Sequence, residues 1–219
     1  MDMSRVQSPR AVRKLVLILV LACAASFAHA HPHMFLKSSA EFVWDGDALS
    51  GCWLEWTFDE FFSADIIHGF DLNQDGKFSE QESRDVFAGA FSNLKNYYYF
   101  TFIREGSTRS NPKEIQRFSA KQTDGKLSYR FFVDLSSTSG NELALAVYDY
   151  TFFCDISYTE KNPVVLTHGG EVSPRYEIRE NRSFPVYYNP KGAIDDTTVY
   201  YEWKKGLMTY YPREIVLVW

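Results

Sequence analysis

Asp71, Asn73, Asp75, Lys77, Ser79 and Glu82 occupy positions one, three, five, seven, nine and twelve of the stretch Asp71-Leu72-Asn73-Gln74-Asp75-Gly76-Lys77-Phe78-Ser79-Glu80-Gln81-Glu82. Hard cations such as calcium take six to eight oxygen ligands, and this spacing offers them. Asp71, Asn73 and Asp75 supply side-chain oxygens. Lys77 supplies only its carbonyl, so its charge is no obstacle. Ser79 acts through a water, and Glu82 closes the set with two oxygens. Gly76 permits the sharp turn in between. The same residues fit a plainer account, in which Asn, Asp and Gly form a turn and Ser79 with Glu82 forms a helix capping box.

A second set of donors is built of nitrogen. His31-Pro32-His33 places two imidazoles within three residues. A chain beginning at His31 would add a free amine. Such donors suit zinc, copper or nickel rather than calcium. Pro32 has no N–H to deprotonate, so a square-planar site through successive amides is blocked. His31, His33 and Asp149 are the expected ligands, with Asp59, Glu60, His68 and His168 also available. Two histidines at a chain start are also commonly just exposed.

Two helices must position the oxygen loop. Phe58, Phe61, Phe62, Ile66, Ile67 and Phe70 recur at spacings of three and four before it. Val86, Phe87, Ala90, Phe91 and Leu94 do so after it. Both patterns predict amphipathic helices, so helix, loop and helix span about Asp59 to Asn96. This is the context of an EF-hand-like loop. No second loop of the kind occurs, which favours a structural clip over a sensor.

Around this insertion the pattern is β. Residues 33–44 and 48–57 read as a hairpin across Asp45-Gly46-Asp47. Further strands are expected at 97–105, 115–121, 126–135, 142–149, 152–158 and 163–168, and shorter ones at 175–179, 197–203 and 214–219. The expected fold class is α+β, mainly β: a β-sandwich or twisted antiparallel sheet with an inserted EF-hand-like helix-loop-helix. The last segment, about 170–219, reads as a C-terminal elaboration of a single domain over 31–219.

The first thirty residues read as a secretory signal peptide. Arg5, Arg10, Arg13 and Lys14 precede the apolar run Leu15 to Ala22, and Ala28-His29-Ala30 offers cleavage after Ala30. The minor alternative is lipid anchoring at Cys23. The whole chain has 23 Lys and Arg against 28 Asp and Glu. Cleavage removes four basic residues and one acidic residue, leaving 19 against 27. That balance argues against nucleic acid as a partner. Cys52 and Cys154 survive cleavage, and in an oxidising compartment they are either a disulfide pair or two buried thiols.

The His-Pro-His start, Trp56-Thr57-Phe58-Asp59-Glu60-Phe61-Phe62-Ser63, the Asp71–Glu82 loop, Tyr97–Phe102 and Val147-Tyr148-Asp149 together resemble an uncharacterised bacterial family. Its members are described as periplasmic components of ABC-type transport systems, with a domain of unknown function. The resemblance covers about residues 31–160. It implies an exported protein associated with metal-ion transporters, notably nickel/cobalt exporters, and no established activity. The expectation is therefore a periplasmic, metal-linked binding or accessory protein with divalent metal ions and a membrane metal transporter as partners. A calcium-stabilised interaction domain is the alternative. A copper-dependent oxidative enzyme using the N-terminal His is a third, although no G-x-S-x-G or H-E-x-x-H supports an enzyme.

Overall fold

The structure, a computed structural model, describes residues 32–193 and 195–219. The leader, Cys23 and His31 fall outside the described residues. Strands β1 (Met34–Asp45) and β2 (Ala48–Phe58) form the expected hairpin. Their alternation sends Leu36, Ala40, Phe42, Leu54 and Trp56 inward, as a half-buried strand requires. Helix α1 (Glu60–Phe70) and helix α2 (Glu80–Val86) follow. The chain continues as a π turn over Phe87–Phe91 and a 3-10 segment over Ser92–Phe100.

The remaining strands are β3 (Thr101–Glu105), β4 (Thr108–Ser110), β5 (Gln116–Thr123), β6 (Lys126–Asp134), β7 (Glu142–Val147), β8 (Cys154–Tyr158), β9 (Val164–Thr167), β10 (Arg175–Glu180), β11 (Val186–Tyr188), β12 (Met208–Tyr210) and β13 (Arg213–Val218). One sheet runs β5-β6-β2-β1-β8, with β9 also on β1, and the other runs β10-β13-β7-β3-β4. Residues from both sheets, including Trp56, Phe131, Leu145 and Ile215, share one hydrophobic cluster. Trp56 lies at its centre, 4.8 Å edge-on to Phe131 and 6.0 Å from both Phe91 and Phe100. Aromatic pairs at such distances add to the area they bury. Among the described residues, no helix is long and apolar enough to cross a membrane.

Several elements depart from the sequence reading. The strand expected from Tyr97 begins only at Thr101. Tyr98, Tyr99 and Phe100 are left-handed, with φ of 56°, 48° and 50°. Packing wins over local preference here, because the bend stacks Tyr99 on Phe91 at 5.8 Å and brings Phe100 onto Trp56. β8 and β9 pair with β1 in parallel, each along part of its length. Parallel pairing needs a long crossover, which periodicity does not reveal. β13 lies between β10 and β7, so the C-terminal segment is integral to a core sheet rather than appended to it. Residues 197–203 form no strand and contribute only a bridge from Tyr200 to Tyr187.

The two cysteines are not bonded. Cys52 pairs opposite Phe42 and Cys154 beside Met34, on opposite sides of β1. Those partners, Met34 and Phe42, are eight steps apart along β1, roughly 26 Å. A disulfide tolerates less than about 7 Å between Cα atoms. Burial instead pushes both thiols up from their usual pKa range.

Candidate cation loop and the start of β1

Asp59 fixes where α1 begins. One carboxylate oxygen accepts from the Phe61 and Phe62 amides at 2.9 Å each, and the other from the Phe35 amide at 2.8 Å. It caps the helix and ties it to β1. Ser63 accepts from the Leu127 amide at 3.0 Å, docking α1 on β6. On the far side of the loop, Ser83 accepts from the Ala120 amide at 2.9 Å and docks α2 on β5. Both helices are thereby held to one sheet.

Between them the loop closes on its own amides. Asp71 accepts from the Asp75 and Gly76 amides, each at 3.2 Å. Asn73 Oδ1 accepts from the Asp75 amide at 2.9 Å, and Asp75 Oδ1 from the Lys77 amide at 2.9 Å. Gly76, at φ 78°, makes the turn that an L side chain would strain. Gln122, on β5, donates to Asp71 Oδ2 at 2.7 Å. Its sequence carries no sign of this role, since pairing across 51 residues is set by the sheet.

Glu82 faces its own helix. It accepts from the Ser79 amide at 2.9 Å, the Ser79 hydroxyl at 2.8 Å and the Leu72 amide at 3.2 Å. Ser79 Oγ returns the bond by accepting from the Glu82 amide, which completes a capping box. The Ser79 amide and hydroxyl, with the Leu72 amide, hold the Glu82 carboxyl below the usual range. A cavity of about 480 Å³ lies along Ile67, His68, Asp71 and Gly76.

At the other end of β1, the His33 amide donates to the Phe153 carbonyl at 2.9 Å, and the two rings lie 5.2 Å apart. Asp149 is buried in the adjoining turn. Its carboxylate accepts from the Thr151 amide at 2.8 Å, the Thr151 hydroxyl at 2.8 and 2.9 Å, and the Cys154 amide at 3.0 Å. Burial pushes this carboxyl up, and those bonds oppose the shift. His33 and Asp149 therefore share one end of the sheet, while His68 and His168 are exposed elsewhere. Among the described residues, no three His, Cys, Asp or Glu side chains converge in a group able to hold a metal ion. In the loop, Glu82 is engaged by its cap.

Residues 16–219 match the model of a family described as "Protein of unknown function (DUF1007)". An uncharacterised 15.5 kDa protein in the trpE 3' region of Spirochaeta aurantia is 35% identical over 142 residues, covering 63% of this chain and 98% of that protein. No solved structure matches.

Proposed function

For a chain that belongs to the DUF1007 family, we propose an exported accessory protein of divalent-metal handling, a β-sandwich whose inserted EF-hand-like loop holds a calcium-class cation. One observation carries this reading. The amides of Asp75, Gly76 and Lys77 fix Asp71, Asn73 and Asp75 at loop positions one, three and five. Asp71 Oδ1, Asn73 Oδ1 and Asp75 Oδ1 each accept one of these bonds and keep a lone pair for a cation, whereas Asp71 Oδ2 already accepts from both the Gly76 amide and Gln122. Glu82 must leave Ser79 and Leu72 to close the site, so binding opposes the capping box. Affinity then belongs at the weak end, roughly 0.1–1 mM.

The test is thermal melting of chelator-treated mature protein against calcium. At roughly thirty times Kd, linkage contributes about 2 kcal/mol, or a Tm rise of roughly 4–8 °C for a domain of this size. The Asp71→Asn/Asp75→Asn variant should show no rise. Equal rises in both proteins, or none in either, would remove the cation from the account.

The start of β1 favours a second, borderline-metal site made by His31, His33 and Asp149, because the Phe153 carbonyl holds His33 beside the Asp149 turn. Zinc, copper or nickel would be its ion. Asp149 would have to exchange hydrogen bonds for the metal, and binding should weaken in acid as imidazole protonates. Nickel or zinc uptake in the same titration, lost on deleting His31–His33 while the calcium response stays, distinguishes the two sites.

A further inference from the structure

On the face of the second sheet away from the shared core, a cleft of about 440 Å³ opens between β3, β4, the turn after β7 and the segments around β11. Its size lies within the range of small-molecule sites. Its wall is unusually aromatic, and within it sits a single cation. Arg109 is clamped between two rings, its guanidinium carbon 5.0 Å from the Phe102 centroid and 4.0 Å from that of Phe184. It donates to the Tyr148 hydroxyl. Tyr148 is itself stacked on Phe102 at 4.2 Å, so the clamp is braced from behind.

Two features of Arg109 point to a ligand. First, it pairs with no carboxylate among the described residues, in a chain whose formal charge is −5. Arg104 on the same sheet has Glu214, and Arg130 on the other has Glu41. Second, of its five N–H groups only the bond to Tyr148 goes to a described protein acceptor. The stacked rings fix the plane of the fork. A fixed, planar, unneutralised guanidinium is complementary to one carboxylate, which it can bind through two parallel bonds.

The mouth of the cleft is equally specific. Tyr98 is 42% exposed yet held in left-handed backbone together with Tyr99 and Phe100. The bend is held by the core contacts of Tyr99 with Phe91 and of Phe100 with Trp56, which leave Tyr98 at the surface. The bend sets the Tyr98 ring 5.9 Å from Phe102 and 5.7 Å from Tyr150, at the cleft edge. Tyr187 and Tyr201 also line the cleft.

We infer that this cleft binds a small organic carboxylate with a flat or apolar body, its anion on Arg109 and its body against Tyr98 and the other lining tyrosines. A cationic ligand is disfavoured because the Arg109 guanidinium, held over Phe102 and Phe184, would repel it. A polyanion is disfavoured because Arg109 is the one basic residue among the described residues lining the cleft, and Arg104 opposite it is already paired with Glu214.

The experiment is calorimetric titration of the mature protein with 3-phenylpropanoate and with its neutral amide, with and without calcium. The carboxylate should bind at least about tenfold more tightly than the amide, as expected of a charge-assisted fork. Arg109→Gln should erase that preference and leave the weak amide affinity unchanged. Tyr98→Ala should weaken both ligands while retaining cooperative unfolding. If Arg109→Gln does not fold, Tyr98→Ala and Arg109→Lys decide, the latter keeping charge but losing the fork and most of the preference. Equal affinity for acid and amide, no saturable binding of either, or unaltered binding in the variants would overturn the proposal. So would saturation by a neutral oligosaccharide that displaces the acid. A calcium-independent result bears on the cleft alone, so its failure and that of the cation loop are separable.

Discussion

One carboxylate, Glu82, serves two ends of the loop. It satisfies Ser79 at the start of α2 and Leu72 at the end of α1. Its pKa is depressed in the fold, so the stability it contributes is present above the unfolded value and lost as pH falls through the folded one. Asp149 acts with the opposite sign. Burial raises its pKa, so its contribution is present below the unfolded value and lost as pH rises through the folded one. Glu82→Gln should therefore be less stable than the parent at neutral pH, with the gap closing as pH falls below the ordinary glutamate range. Urea unfolding at a series of acid pH values checks this. A constant gap would mean that the carboxylate charge is irrelevant to the cap.

Among the elements, β2 is constrained most tightly by its neighbour. A Cβ built on Gly51 would lie 2.3 Å from Phe132 Cζ and 2.5 Å from the Val133 carbonyl oxygen. The ring could swing aside, but the carbonyl belongs to the β2–β6 ladder and cannot. Gly51→Ala should cost about 1–3 kcal/mol, the usual range for overpacking. A denaturation midpoint equal to the parent's would show that the two strands can part without loss. Helix α2 shows a related dependence on surroundings. At seven residues it is too short to persist alone, and its capping box and the Ser83 contact to β5 supply what propensity cannot.

At the scale of the molecule, the second sheet is stitched across by Arg104 of β3 and Glu214 of β13. The pair is bidentate, at 3.1 and 2.7 Å, with side chains 16% and 7% exposed. Asn181 donates to the same carboxylate at 2.7 Å. Removing one partner from such a pair strands a buried charge and typically costs about 3 kcal/mol or more, whereas replacing both with apolar residues is often neutral. Arg104→Met should accordingly lower the unfolding free energy by about 3 kcal/mol, and Arg104→Met/Glu214→Met should recover most of it. Equal losses in the single and double variants would assign the effect to packing of the arginine stem.

The sequence alone determined the local elements. The hairpin at Met34–Phe58, the helix Glu60–Phe70 and strands such as Lys126–Asp134 follow from periodicity and turn residues, which act over a few positions, whereas Phe87, Ala90, Phe91 and Leu94, expected on a second helix reaching Asn96, lie beyond the short helix Glu80–Val86 in the π turn and 3-10 segment. It also held both accounts of Ser79 and Glu82, and the capping geometry was legible there. Tertiary structure decided the rest. The bend at Tyr98–Phe100 reads as strand until Phe91 and Trp56 claim its rings. The separation of Cys52 from Cys154, the Gln122 bond to Asp71 and the clamp on Arg109 all depend on which strands become neighbours. That choice is made by burial of distant apolar faces against one another, and a one-dimensional pattern records which face is apolar but not what it will meet.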